Sequence, residues 1–114
     1  MTDAPQKSRR PLDGVRVLEM GQLIAGPFTT SVLGYFGAEV IKVEPPKGGD
    51  PLRVWRALGE DGTSFWWRAM SRNKKSVTLD LRTDEGRAIA KQLVLKADVL
   101  VENFLPGRME EWGL

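Results

Sequence analysis

The sequence contains neither cysteine nor histidine. Without cysteine there is no disulfide, no thiolate nucleophile and no zinc site built on thiolates, and without histidine there is no imidazole base and no histidine metal cluster. No metal is therefore expected. Long hydrophobic runs are also missing: none approaches the roughly 20 residues that a membrane span requires, and Met1 to Arg10 has no apolar core to act as a signal peptide. The expectation is a cytoplasmic protein with no membrane partner. Nor is one sign of charge dominant, since 17 Lys+Arg against 15 Asp+Glu leave a net charge of +2. That balance argues against a nucleic-acid partner, although basic residues gather at Lys7, Arg9, Arg10 and at Arg72, Lys74, Lys75. A nucleic-acid binder built on those two groups is the weakest reading, and DNA binding with a steep salt dependence would be its mark.

What is present fits one small α/β unit: 114 residues, 41% of them hydrophobic, around a single core. Residues 1–10 are polar and without period and read as a disordered leader, with Pro11-Leu12-Asp13-Gly14 as the turn that starts the fold. Residues 15–20 alternate between apolar and polar before Gly21, which predicts a first strand centred on Val15 to Leu18. Gly26-Pro27 predicts a helix start, because proline at the first helical position gives up an N–H that has no partner there; the helix runs to about Phe36 and stops at Gly37. Val40 to Val43 is the second strand, ending near Glu44 before Pro45-Pro46.

Residues 45–62 hold three prolines and four glycines and read as a long surface excursion. Ser64 to Met70 predicts one or two helical turns, and Ser76 to Asp80, centred on Val77 to Leu79, a third strand. Thr83 reads as an N-cap with Asp84 and Glu85 in the first turn, followed by Ile89, Leu93 and Ala97 at helical spacing. A fourth strand over Asp98 to Val101, a loop over Asn103 to Gly107 and a helix from Arg108 complete the chain. Strands alternating with helices imply a Rossmann-like parallel sheet with flanking helices. The chain stops at Gly113-Leu114, partway through a connection, so truncation of a larger fold is expected.

Ligands of open α/β sheets bind beyond the carboxyl ends of the strands, which directs attention to the loops Gly21 to Gly26, Glu44 to Gly49 and Glu102 to Gly107. The first has small residues ahead of a helix but lacks both G-x-G-x-x-G and G-x-x-x-x-G-K-[ST]; alone, such a loop is plain turn chemistry more often than a ligand site. Arg72-Asn73-Lys74-Lys75 has the charge to hold phosphates, but spacing alone favours a solvated basic turn. Phe65-Trp66-Trp67 has the faces to stack on a base, but core packing is the favoured reading.

Five blocks in order carry a family resemblance: Pro11-Leu12-Asp13-Gly14-Val15-Arg16-Val17-Leu18, Ala25-Gly26-Pro27, Leu33-Gly34-Tyr35-Phe36-Gly37-Ala38-Glu39-Val40-Ile41-Lys42-Val43-Glu44, Arg72-Asn73-Lys74-Lys75-Ser76-Val77, and Asp98-Val99-Leu100-Val101-Glu102-Asn103-Phe104-Leu105-Pro106-Gly107. Together they resemble the opening of the CaiB/BaiF, or family III, CoA-transferases, and the likeness spans Pro11 to Leu114. The resemblance implies that residues 11–114 are the CoA-binding part of an enzyme that moves coenzyme A from an acyl-CoA to a small carboxylic acid. It implies CoA contacts at Ile24, Ala25, Pro45, Leu79, Asp80, Leu81, Arg82, Asn103, Phe104 and Leu105. Relatives place basic residues where this chain has Pro45 and near Glu111, which leaves Arg82, Lys75 or Arg108 to supply the phosphate contacts.

The family's nucleophile is an aspartate that forms an acyl anhydride and then a CoA thioester, splitting one hard transfer into easier steps. It is expected downstream, so this chain supplies no catalytic residue; Asp80, Asp84 and Asp98 read as a strand end, a helix first turn and a strand start. The resemblance also implies an interlocked homodimer for the full-length protein. The alternatives are the related α-methylacyl-CoA racemase branch and, should the chain end naturally at Leu114, a non-catalytic CoA- or nucleotide-binding module.

Overall fold

Four short strands, β1 (Arg16–Glu19), β2 (Glu39–Glu44), β3 (Lys74–Thr78) and β4 (Val99–Val101), lie side by side in the order β3-β2-β1-β4, and every pairing among them is parallel. The computed structural model describes residues 9–114. Four helices connect and cover the strands: α1 (Ala25–Tyr35), α2 (Phe65–Met70), α3 (Asp84–Leu95) and α4 (Arg108–Glu111). The parallel α/β layer expected from the alternation of elements is therefore the architecture observed.

Neighbouring strand residues point to opposite faces, and the core divides accordingly. Val17 and Val40 pack with Ala38 and, from α1, Leu33 on one face. Leu18 and Val43 pack with Met20, Leu81 and, from α3, Ala90 on the other, where α4 adds Met109. The central pair β1 and β2 carries the buried apolar residues, as covered parallel strands do, whereas the edge strands β3 (Lys74-Lys75-Ser76-Val77-Thr78) and β4 stay largely exposed. Thr83 caps α3, its hydroxyl oxygen accepting the Gly86 N–H at 3.0 Å, and Asp84 and Glu85 stand in the first turn. The cap and first turn match the sequence reading. Leu93 and Ala97 pack on the core as their spacing predicts, but Ile89 is largely exposed, because Gly86 and Ala90 define the inner stripe of α3.

The larger differences from the sequence reading are three. Helix α1 starts at Ala25, so Pro27 is its third residue, still within the first turn whose N–H groups lack intrahelical acceptors. Strand β3 starts at Lys74 and ends at Thr78, because Lys74 and Lys75 pair in register with Val40 and Ile41; Leu79 and Asp80 thus lie beyond it. The excursion 45–62 is not featureless: a 3-10 turn at Pro51–Val54, capped by Asp50, buries Leu52, and Leu58 bridges to Ser64 antiparallel. Ser64 caps α2, but Phe65 is 52% and Trp66 43% exposed, so neither is the core residue that its neighbours suggested. Of the expected leader, residues 1–8, including Lys7, lie outside the described residues; Arg10 is held by Asp13 through both its backbone N–H and its guanidinium, each at 2.8 Å.

Candidate functional site

The strand order fixes where a ligand can enter. From β1 the sheet grows through β2 to β3 on one side, and the chain then crosses back to lay β4 on the other side of β1. The loops leaving β1 and β4 diverge at this switch point, which is where open parallel sheets form their crevice. A cavity of about 150 Å³ lies at this carboxyl edge. Met20, Val43, Leu79, Leu81, Phe104 and Trp112 make its apolar part, Phe104 meeting Trp112 edge to face at 5.1 Å, and Gln22, Glu44, Pro45, Asp80 and Arg82 complete it. A larger open cavity, about 820 Å³, lies at the amino edge, but two of the charge pairs around it are committed to each other, Arg10 to Asp13 and Arg16 to Glu39, and its lining is mostly polar. The switch-point cavity is the better candidate despite its size, because apolar walls with a few polar groups suit an organic ligand.

Of the residues singled out from the sequence, Pro45, Leu79, Asp80, Leu81, Arg82 and Phe104 line this one cavity. Asp80 turns the chain after β3: its carboxylate accepts the Arg82 backbone N–H at 3.0 Å and the guanidinium at 2.9 and 3.0 Å. Those bonds hold the Asp80 carboxyl below its usual range and raise the already high Arg82 value. Ile24 and Ala25 are not in the cavity wall; they begin α1, and Ala25 is exposed. Leu105 is 73% exposed and also stands apart.

Asn103 reaches across the switch point, where its Oδ1 accepts the Gln22 N–H at 2.7 Å and its Nδ2 donates to the Gln22 carbonyl at 2.9 Å. Of the basic substitutes, Arg82 lines the cavity and Arg108 lies 5.8 Å from the Trp112 ring. Lys75 points to Glu39 at the opposite edge, 2.9 Å away, and does not join them.

The sequence reading missed a buried charge cluster beneath the β1–α1 loop. The Lys42 ammonium lies 2.7 Å from Glu19 Oε1 and 2.7 Å from Asp50 Oδ2, and donates to the Gly21 carbonyl at 3.1 Å. Lys74 lies 2.8 Å from Glu19 Oε2 and donates to the Pro27 carbonyl at 2.9 Å, and Thr30 donates to the same carboxylate oxygen at 2.7 Å. Lys74 is thus neither a solvated turn residue nor a free phosphate ligand. Burial draws its ammonium below the usual lysine range, partly offset by Glu19. The contact between Lys42 and Asp50 Oδ2 is short without hydrogen-bond alignment, so its attraction is coulombic, while Asp50 Oδ1 accepts the N–H groups of Leu23 at 3.0 Å and Leu52 at 2.9 Å. Two carboxylates and two ammonium groups cancel, which is the condition for burying them at all.

The signal was in the sequence: Glu19 and Lys42 interrupt the apolar runs Val17-Leu18-Glu19-Met20 and Val40-Ile41-Lys42-Val43, and a charge inside a covered strand needs a buried partner. Among the described residues no group of three or more acidic side chains is placed to hold a metal ion, and no helix is long and apolar enough to cross a membrane.

Known proteins resemble the chain throughout. The profile of CoA-transferase family III matches residues 12–114. Succinyl-CoA–D-citramalate CoA-transferase of Chloroflexus aurantiacus is 57% identical over 109 residues, covering 96% of this chain and 27% of the relative. The mouse succinyl-CoA:glutarate CoA-transferase is 43% identical, covering 99% of this chain and 27% of that protein. Among solved structures, a CAIB/BAIF family protein from Brucella suis superposes with a TM-score of 0.83 at 41% identity, over 94% of this chain and 29% of its own. The chain thus spans well under a third of the length of these relatives.

Proposed function

The chain belongs to CoA-transferase family III, and from that premise we propose that it forms the CoA-binding part of an enzyme transferring CoA from an acyl-CoA donor to a carboxylic acid. One observation supports this reading above the others. Residues that the family resemblance assigns to CoA come from three separate loops, after β2, β3 and β4, and line a single cavity at the switch point. Apolar walls would take the flat, weakly polar parts of the ligand, and Arg82 in the wall, with Arg108 beside Trp112, would meet its phosphates, as guanidinium groups do through charge-assisted bonds. CoA is the substrate here, and the reading calls for no metal.

Two of the relatives named above act on succinyl-CoA, so a short dicarboxylic acyl-CoA is the donor we propose. The aspartyl anhydride and thioester route would use a nucleophile outside this chain, whose own part is to bind CoA and fix its position. We propose further that the full-length protein is an interlocked homodimer, as the resemblance implies, and that it works in the cytoplasm, as the lack of long apolar runs suggests. Gel filtration with crosslinking, and localisation of a tagged protein, test those two points.

The binding reading is tested by titration calorimetry of CoA against a full-length protein carrying this segment. Wild type should bind, and Arg82→Ala, at an exposed position of the cavity wall, should weaken binding about tenfold by removing a charge-assisted phosphate contact without touching the core. Equal affinities with folding unchanged would place CoA elsewhere. Transfer of deuterium into the acyl α-carbon without acyl exchange would point to the racemase branch instead.

A further inference from the structure

Leu23 adopts a left-handed backbone, φ 60°, at the foot of α1. A branched side chain rarely takes this conformation, and it persists only where the surroundings over-determine it. Here they do, for three different elements hold three successive residues. Lys42, from β2, donates to the Gly21 carbonyl. Asn103, from the loop after β4, engages both the N–H and the carbonyl of Gln22. Asp50, which caps the 3-10 turn, accepts the Leu23 N–H. Packing tightens the same point: a Cβ on Gly21 would lie 2.5 Å from Asn103 Oδ1 and 2.9 Å from the Gly26 Cα, so only glycine fits.

We infer that Asn103, with Lys42 and Asp50 behind it, is a positioning residue that sets the shape of the β1–α1 loop for the ligand, and that Gln22 is the side chain so presented. Each half of the Asn103 amide makes a hydrogen bond to the Gln22 backbone, so the orientation of the side chain is set by the loop and not by a ligand. Gln22 lines the cavity, and its backbone is fixed on both sides, so its own amide projects from a rigid base. The bridge runs from the β4 loop to the β1 loop, across the two connections that diverge at the switch point, so losing it frees one wall of the crevice from the other.

This inference rests on the CoA reading, and the test separates the two. The protein is a full-length chain carrying this segment, the probe is free CoA, and the variants are Asn103→Ala and Gln22→Ala, both at positions outside the buried core. Affinity comes from calorimetry, and loop order from residue-resolved amide hydrogen exchange without ligand. In Asn103→Ala the Gln22 and Leu23 amides should exchange faster while those of β1 and β2 keep wild-type rates, and CoA affinity should fall roughly tenfold at an unchanged thermal midpoint. Gln22→Ala should lower affinity with loop exchange unaltered. Affinity lost in Asn103→Ala with exchange unchanged would make Asn103 a direct contact and overturn the inference. Faster exchange with affinity intact, or wild-type affinity in Gln22→Ala, would equally overturn it while the CoA reading stood. Failure of wild type to bind CoA would remove both.

Discussion

At Glu44 burial and pairing oppose each other. Burial pushes its carboxyl up, but Arg53, the Asp50 backbone N–H and the Ser76 hydroxyl donate to it and together hold its pKa at about 2 against an ordinary 4.5. Because the folded value lies below the unfolded one, this stabilisation is complete above about pH 4.5 and is lost as pH falls toward 2. The shift corresponds to about 3 kcal/mol. Glu44→Gln should therefore unfold more readily than wild type at pH 7, and urea titrations should show the gap narrowing steadily as the medium is acidified toward pH 2; a gap independent of pH would mean that the carboxylate's charge is not what these donors recognise. Single residues were also where the sequence was least legible. Asn103 was found as a site residue because it opens the loop after a strand in a matching block, but its partner Gln22 lies 81 residues away, and no local spacing announces such a bond. Lys74 looked like part of a solvated turn until the register of β3 placed it over Glu19.

Elements were more legible, because each is set by short-range chemistry. Thr83, followed by Asp84 and Glu85, is an N-terminal signature that needs no tertiary context, and α3 begins where it directs. Thr83→Ala should cost about 1 kcal/mol, the ordinary worth of a cap, measured by chemical denaturation. A loss of only a tenth or two would show that core packing alone fixes the helix start. Gly86 is a stricter requirement than its helix position suggests: a Cβ there would collide with the Asp80 carbonyl, which is how α3 seats directly against the turn that carries Asp80 and Arg82 into the cavity. Where the local signal misled, a long-range contact had overruled it. The start of α1 slid from Pro27 back to Ala25 because Lys42, Asn103 and Asp50 fix the backbone of residues 21–23 just before it. The excursion 45–62 gained a turn because Asp50 and Leu52 are buried, Asp50 against Lys42 of β2. Phe65 and Trp66 face outward because Met70 is the residue that α2 buries.

At the scale of the molecule, the described carboxylates near the sheet are held by partners rather than left free. Glu19 and Asp50 are buried against Lys42 and Lys74. Asp84, on the surface of α3, pairs with Arg87, and Asp98 accepts the Arg16 backbone N–H at the amino edge of the sheet. Among the described residues, Glu44 and Asp80 are the carboxylates that reach the cavity wall, and both are held by guanidinium groups that draw their pKa down. A carboxylate stabilised in this way is a poor attacking group, because the bonds that favour its charge must be given up as it acylates. On the function proposed above, the nucleophile would come from outside this chain, which spans under a third of the length of its relatives. The purified 114-residue chain is therefore expected to transfer no acyl group above background with succinyl-CoA and any of several short carboxylic acids, assayed by exchange of labelled acid into thioester. Turnover that survives repurification would locate the nucleophile within this chain, and Asp80→Asn and Glu44→Gln would then be the first variants to separate the two carboxylates that the cavity exposes.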